Sequence, residues 1–174
     1  MNRRRGAFQL TVVRLACVLA LACALAGCPK GPAKVVTKRV PGLAPKPSKL
    51  DVKIHVSPAA NAGNPVALDL VLVSDKNLLK ELQKMTASQW FERRNQIILD
   101  HPKEGDITVV GQWEWSPGQV VAPAQLSVKP EVKAGLIFAK YFNPGEHRAL
   151  IDPRAKDILI KLEEDKLEVV TRKD

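Results

Sequence analysis

Few side chains in this 174-residue sequence have types and spacings suited to chemistry: three cysteines, three histidines, one acidic run and one tryptophan pair. His55, His101 and His147 lie far apart, without the i, i+4 spacing that puts two imidazoles on one helix face to hold a metal. His101 precedes Pro102 and His147 follows Asn143-Pro144-Gly145-Glu146, so both read as solvated turn residues. Ser116, before Pro117-Gly118, lacks the G-x-S-x-G frame that exposes a nucleophile. Glu163, Glu164 and Asp165 are consecutive and read as a solvated charge run in a turn. Trp113 and Trp115 share one face of a strand, where they either stack a sugar or fill a core. No glycine-rich phosphate loop is present. These residues predict no catalytic group, no metal site, no cofactor and no enzyme, unless carboxylates distant in sequence converge in the fold.

The cysteines carry more information. Arg3, Arg4, Arg5 and Arg14 open the chain without any acid, and Leu15 to Ala26 is an unbroken apolar stretch of twelve residues. A basic start, a short apolar core and small residues after it make an export signal. The core falls short of the roughly 20 residues of a membrane span. Leu25-Ala26-Gly27-Cys28 resembles the bacterial lipobox. The resemblance implies that the Cys28 thiol takes a diacylglyceryl group as a thioether. Cleavage before Cys28 then frees an amine for a further acyl chain such as palmitate. Pro29 rather than Asp follows, which for such lipoproteins implies the outer membrane, facing the periplasm. The competing reading is an ordinary signal peptide followed by a structural cysteine. With Cys17 and Cys23 removed in the signal and Cys28 acylated, the mature chain has neither a free thiol nor a disulfide.

The formal charge of +9 suggests a nucleic-acid binder until it is divided along the chain. Four positive charges belong to the signal and six to residues 29–50, which hold no acid. From Asp51 onward, 17 Lys and Arg stand against 18 acids, a net charge of −1 with no pull toward phosphate backbones. Five prolines and two glycines in 29–50 oppose both helix and sheet, so this stretch reads as a tether. The chain divides into a signal (1–27), a lipidated cysteine with a Pro/Lys-rich tether (28–50), and one domain (51–174).

Within that domain, period-two alternation predicts strands. "DVKIHV" puts Val52, Ile54 and Val56 on one face, and "VALDLVLV" is apolar on both, as a central strand is. "DITVVGQWEW" aligns Ile107, Val109, Trp113 and Trp115; "AQLSVK" and "GLIFAKYF" follow; "DILIKL" and "LEVVT" flank the turn "EEDK" as a closing hairpin. One helical region interrupts. Leu78, Leu82 and Met85 have helical spacing after a cap at Ser74 or Asp75, and "TASQ" at Thr86–Gln89 resembles a capping box before a stripe of Trp90, Phe91, Arg94 and Ile98. That stripe reads as core packing rather than a binding face. The fold expected is all-β, a two-sheet β-sandwich with a short helical insertion.

The order of these features resembles the TssJ (SciN) family, the lipoproteins of the type VI secretion membrane complex. "LDVKIHVSPAANAGNPVALDLVLV" is similar to that family's first two strands and their connecting loop, and "ASQWFERRNQIILDHPKEGDITVVGQWEWSPGQ" to its helical segment, next strand and Pro-Gly turn. "LSVKPEVKAGLIFAKYF" and "DILIKLEEDKLEVV" resemble a later strand and the last hairpin. The resemblance implies a transthyretin-like β-sandwich that docks onto the periplasmic part of an inner-membrane partner, TssM, with TssL in the same complex. It maps the contact onto the loop Ser57, Pro58, Ala59, Ala60, Asn61, Ala62, Gly63 and Asn64. Taken without the resemblance, the loop is a flexible turn. The alternative function is a periplasmic ligand- or peptidoglycan-binding lipoprotein that uses Trp113 and Trp115.

Overall fold

The computed structural model describes residues 46–172. The expected signal 1–27, the expected lipidation site Cys28 and most of the expected tether lie outside the described residues. Within them, two four-stranded sheets pack face to face. One has the order β4 (Ala124–Val128), β1 (Ser48–Val56), β7 (Asp157–Leu162) and β8 (Leu167–Arg172). The other has the order β3 (Ile107–Trp115), β2 (Val66–Val73), β5 (Ala134–Lys140) and β6 (Arg148–Ile151). β1 runs parallel to β7, with Asp51 opposite Asp157 and Val56 opposite Leu162; the other pairs are antiparallel. β1 begins at Ser48 and Leu50 is fully buried, so the strand absorbs the last three residues that composition places in the tether.

Alternation sets the first sheet. Leu50, Val52 and Val56 face inward with Ile158, Ile160 and Leu162, while Lys49, Lys53 and His55 face solvent. The second sheet is covered on both sides, which is why β2 and β5 are apolar on both faces apart from Asp69 and the terminal Lys140. Leu68, Leu70, Leu72, Ile137 and Ala139 pack into the sandwich; Val71, Val73, Leu136 and Phe138 pack against the helices. Burying each such Leu, Val or Ile contributes about 1.5–3 kcal/mol, so the helical layer is an integral second core. Gly135 lets β6 close on β5, since a Cβ there would come within 2.5 Å of the Ile151 side chain.

Asp75 caps α2 (Lys76–Leu82), its Oδ1 accepting from the Asn77 and Leu78 amides at 2.9 and 2.8 Å. Thr86 and Gln89 form the expected reciprocal box at the start of α3 (Ala87–Asp100). Leu78, Leu82, Met85, Ala87, Trp90 and Ile97 are buried against the sheet. The phase of α3 differs slightly from expectation: Ile97, two turns after Trp90, takes the buried position, and Ile98 is half-buried beside it.

β3 departs from simple alternation. Leu70 pairs with Gly111 but Val71 pairs with Val109, so Val110 is an extra residue in a β-bulge. The bulge reverses the parity of the strand. Ile107 and Val109 face the helices, whereas Val110, Trp113 and Trp115 face the sandwich interior, so the four residues aligned by the sequence pattern occupy two faces.

Candidate interaction surface

Four loops meet at the end of the sandwich where β1 stops and β2 starts, and the β1–β2 loop is the most constrained. It contains α1 (Ala60–Gly63), one turn with left-handed backbone at Asn61 (φ 50°), Ala62 (φ 53°) and Gly63 (φ 82°). Glycine adopts that region freely; Asn tolerates it, and Ala holds it at a cost of about 1–2 kcal/mol. Asn61 is 3% exposed and uses its whole amide: Nδ2 donates to the Pro65 carbonyl at 2.9 Å, and Oδ1 accepts from the Phe142 amide at 2.8 Å. Asn64 Nδ2 donates to the Asn61 and Ala62 carbonyls. At the start of the loop, the Ser57 carbonyl accepts from Gly118 N, which ties in the Ser116–Gln119 turn of the β3–β4 connection.

The β7–β8 turn holds the assembly together. Its four consecutive carbonyls each accept one bond from a neighbouring loop: Glu163 from Asn61 N at 3.2 Å, Glu164 from Ala62 N at 3.1 Å, Asp165 from Asn143 Nδ2 at 2.8 Å, and Lys166 from Tyr141 Oη at 2.8 Å. Burial, reinforced by the nearby Glu163 carboxylate, pushes the Tyr141 phenol well above its ordinary pKa, so it remains a neutral donor. The Tyr141 ring stacks on His147 at 4.6 Å, and a His147 ring nitrogen lies 2.9 Å from the Asn143 carbonyl. The loop is therefore fixed on three sides rather than slack.

Of the eight loop positions expected to meet a partner, Ala60 and Asn61 are buried and act from beneath. Pro58, Ala59, Ala62 and Gly63 are exposed, and Ser57 and Asn64 are half-buried. Beside them lies Phe142, 77% exposed, which loop composition alone did not single out. A shallow cleft next to it is bordered by Pro65, Glu114 and Lys140.

The other candidates stand apart. His55 is exposed on β1, His101 ends α3, and His147 takes part in the ring stack. Among the described residues no three His, Cys, Asp or Glu side chains converge as a metal set. Trp113 and Trp115 lie 6.4 Å apart and are half-buried against the sandwich core, with the Trp113 ring over Gly111. Both rings are thus engaged with the core, the packing role expected of same-face aromatics in a sandwich. One buried polar cluster escaped the sequence reading. Asp69 Oδ2 accepts from Trp90 Nε1 at 2.8 Å and from Arg94 Nη1 at 2.7 Å, joining α3 to β2. Its trace in the sequence is a lone Asp inside the apolar run "VALDLVLV".

Fold and surface together define a β-sandwich module with a helical layer on one sheet and a rigid four-loop platform at one end. No protein-family model matches the sequence, and no curated protein does. Solved structures share the fold. The type VI secretion lipoprotein TssJ1 from Pseudomonas aeruginosa superposes with a TM-score of 0.55 at 16% identity, over 74% of this chain and 98% of that one. Serratia marcescens Lip, a membrane-bound component of the type VI secretion system, superposes with a TM-score of 0.52 at 14% identity, over 71% of this chain and 97% of that one.

Proposed function

We propose that this chain is a TssJ-type lipoprotein of a type VI secretion membrane complex. Acylated Cys28 anchors it in the outer membrane, facing the periplasm. It docks onto the periplasmic part of a TssM-like inner-membrane protein, with TssL in the same complex, and it performs no catalysis. The observation that carries this reading is the β1–β2 loop. Three successive left-handed residues, a buried Asn and bonds to three other loops hold small exposed side chains in one fixed arrangement. Strain of this kind persists where the surroundings over-determine it, and it concentrates at sites that act on something else. Pre-ordering also lowers the entropy lost on binding. The shared fold and the Leu-Ala-Gly-Cys signature support the same reading.

The test is co-purification of the acylated protein with the full-length TssM-type protein encoded in the same genome. Ala59→Glu puts a bulky charge on the exposed part of the loop without touching Asn61. We expect it to weaken binding by roughly 30-fold, the loss typical of a disrupted interface centre. Unchanged binding would reject the loop assignment.

A further inference from the structure

The β1–β2 loop carries only small side chains at its exposed positions, which leaves it short of the large side chain that usually supplies the binding energy of an interface. Phe142 meets that need. It is 77% exposed, yet its amide and the side chains of both its neighbours are bonded into the platform. Its own amide donates to buried Asn61; on either side, the Tyr141 hydroxyl and the Asn143 side chain are bonded to carbonyls of the β7–β8 turn. An apolar ring displayed on a backbone pinned at three successive residues loses little conformational entropy when it is buried.

The surrounding charge says what buries it. The turn bonded to both neighbours of Phe142 carries Glu163, Glu164 and Asp165, and Glu114 borders the adjacent cleft. Among the described residues none of these four carboxylates is in an ion pair; Lys166 is paired with Glu168 at 2.7 Å and only partly offsets Asp165 and Glu163 through longer-range attraction. Lys140 is the cation of the cleft. An apolar centre within an acidic border matches an apolar socket within a basic border.

We propose that Phe142 is the anchor of the docking surface, inserting into an apolar socket of the protein partner that is edged by Lys and Arg. The inference rests on the docking function proposed above and places its main contact in the β5–β6 loop, outside Ser57–Asn64. The experiment measures binding of the acylated full chain to the full-length TssM-type partner, both in detergent, by surface-immobilised kinetics. Phe142→Ala should weaken binding by roughly 30-fold or more through faster dissociation, with an unchanged melting temperature because the ring is solvent-exposed. Phe142→Leu should restore most of the affinity. Glu164→Lys with Asp165→Lys should slow association about tenfold at low salt and flatten its salt dependence. Phe142→Ala binding within twofold of wild type, while Ala59→Glu loses binding, overturns this inference and leaves the docking function standing. A wild-type chain that does not bind the partner overturns both.

Discussion

Asn61 shows how one side chain can organise a surface it does not occupy. The left-handed turn needs a residue that tolerates positive φ, and the buried position needs a donor and an acceptor in one short group. Asn supplies both. Asn61→Ala removes the bonds to the Pro65 carbonyl and the Phe142 amide, two part-buried backbone groups that water can reach once the side chain is gone. Each hydrogen bond lost costs about 0.5–1.5 kcal/mol, so the variant should lose about 1–3 kcal/mol in a urea titration. Asn61→Asp keeps the acceptor for Phe142 N and forfeits only the donor, so it should fall between wild type and Asn61→Ala. An Asn61→Ala protein as stable as wild type would show that the amide is incidental. Asp69 is a comparable buried organiser on the helical side, where Arg94 and Trp90 satisfy one carboxylate oxygen. Both residues were visible in the sequence as polar letters, but their tertiary partners Trp90, Arg94 and Phe142, 21 to 81 positions away, were not.

At the scale of elements, β3 shows where periodicity succeeds and where it fails. The strand's existence and extent follow from its apolar residues, yet the extra residue at Val110 leaves no compositional mark, and every side chain after it changes face. Deleting Val110 would restore strict alternation and send Trp113 and Trp115 toward the helical layer, which Val71, Phe138 and Trp90 already fill. We expect the deletion to unfold the domain or to lower its melting temperature by more than 10 °C, equivalent to several kcal/mol in a domain this size. Near-UV circular dichroism reports the tryptophan environments directly, and a native-like spectrum from the deletion variant would contradict the register. Caps were easier to read than faces. Asp75 and the Thr86–Gln89 box are local in sequence and need no tertiary knowledge. β6 was missed because four residues hold too little alternation to stand out from a loop. The platform was legible only as breakers between strands, because the bonds that stiffen it end on backbone carbonyls, which every residue possesses.

At the scale of the whole molecule, polarity decides what the anchor can achieve. β1 carries the chain from Ser48 at one end of the sandwich to Ser57 at the other, about 30 Å away at 3.3 Å per residue. On the proposed anchoring at Cys28, the chain therefore enters the domain at the pole opposite the platform. On the proposed anchoring, 19 residues lie between Cys28 and Ser48, and a proline-rich chain of that length at about 3.1 Å per residue would set the reach of the platform at no more than roughly 60 Å. Confinement raises the effective concentration of the partner without adding any contact, so the anchor and the docking surface should fail separately. On the acylation proposed for Cys28, two or more chains, each methylene contributing about 0.8 kcal/mol, would hold the domain to a bilayer where a single chain would exchange. Cys28→Ser should abolish labelling by palmitate and move the protein from the membrane pellet to the soluble periplasmic fraction. Its melting temperature and its affinity for the purified partner should remain within twofold of wild type, whereas assembly of the complex in cells should be lost. A Cys28→Ser protein that still sediments with membranes and still takes up palmitate would place the anchor elsewhere in the chain. A variant that assembles normally without the lipid would show that docking alone suffices.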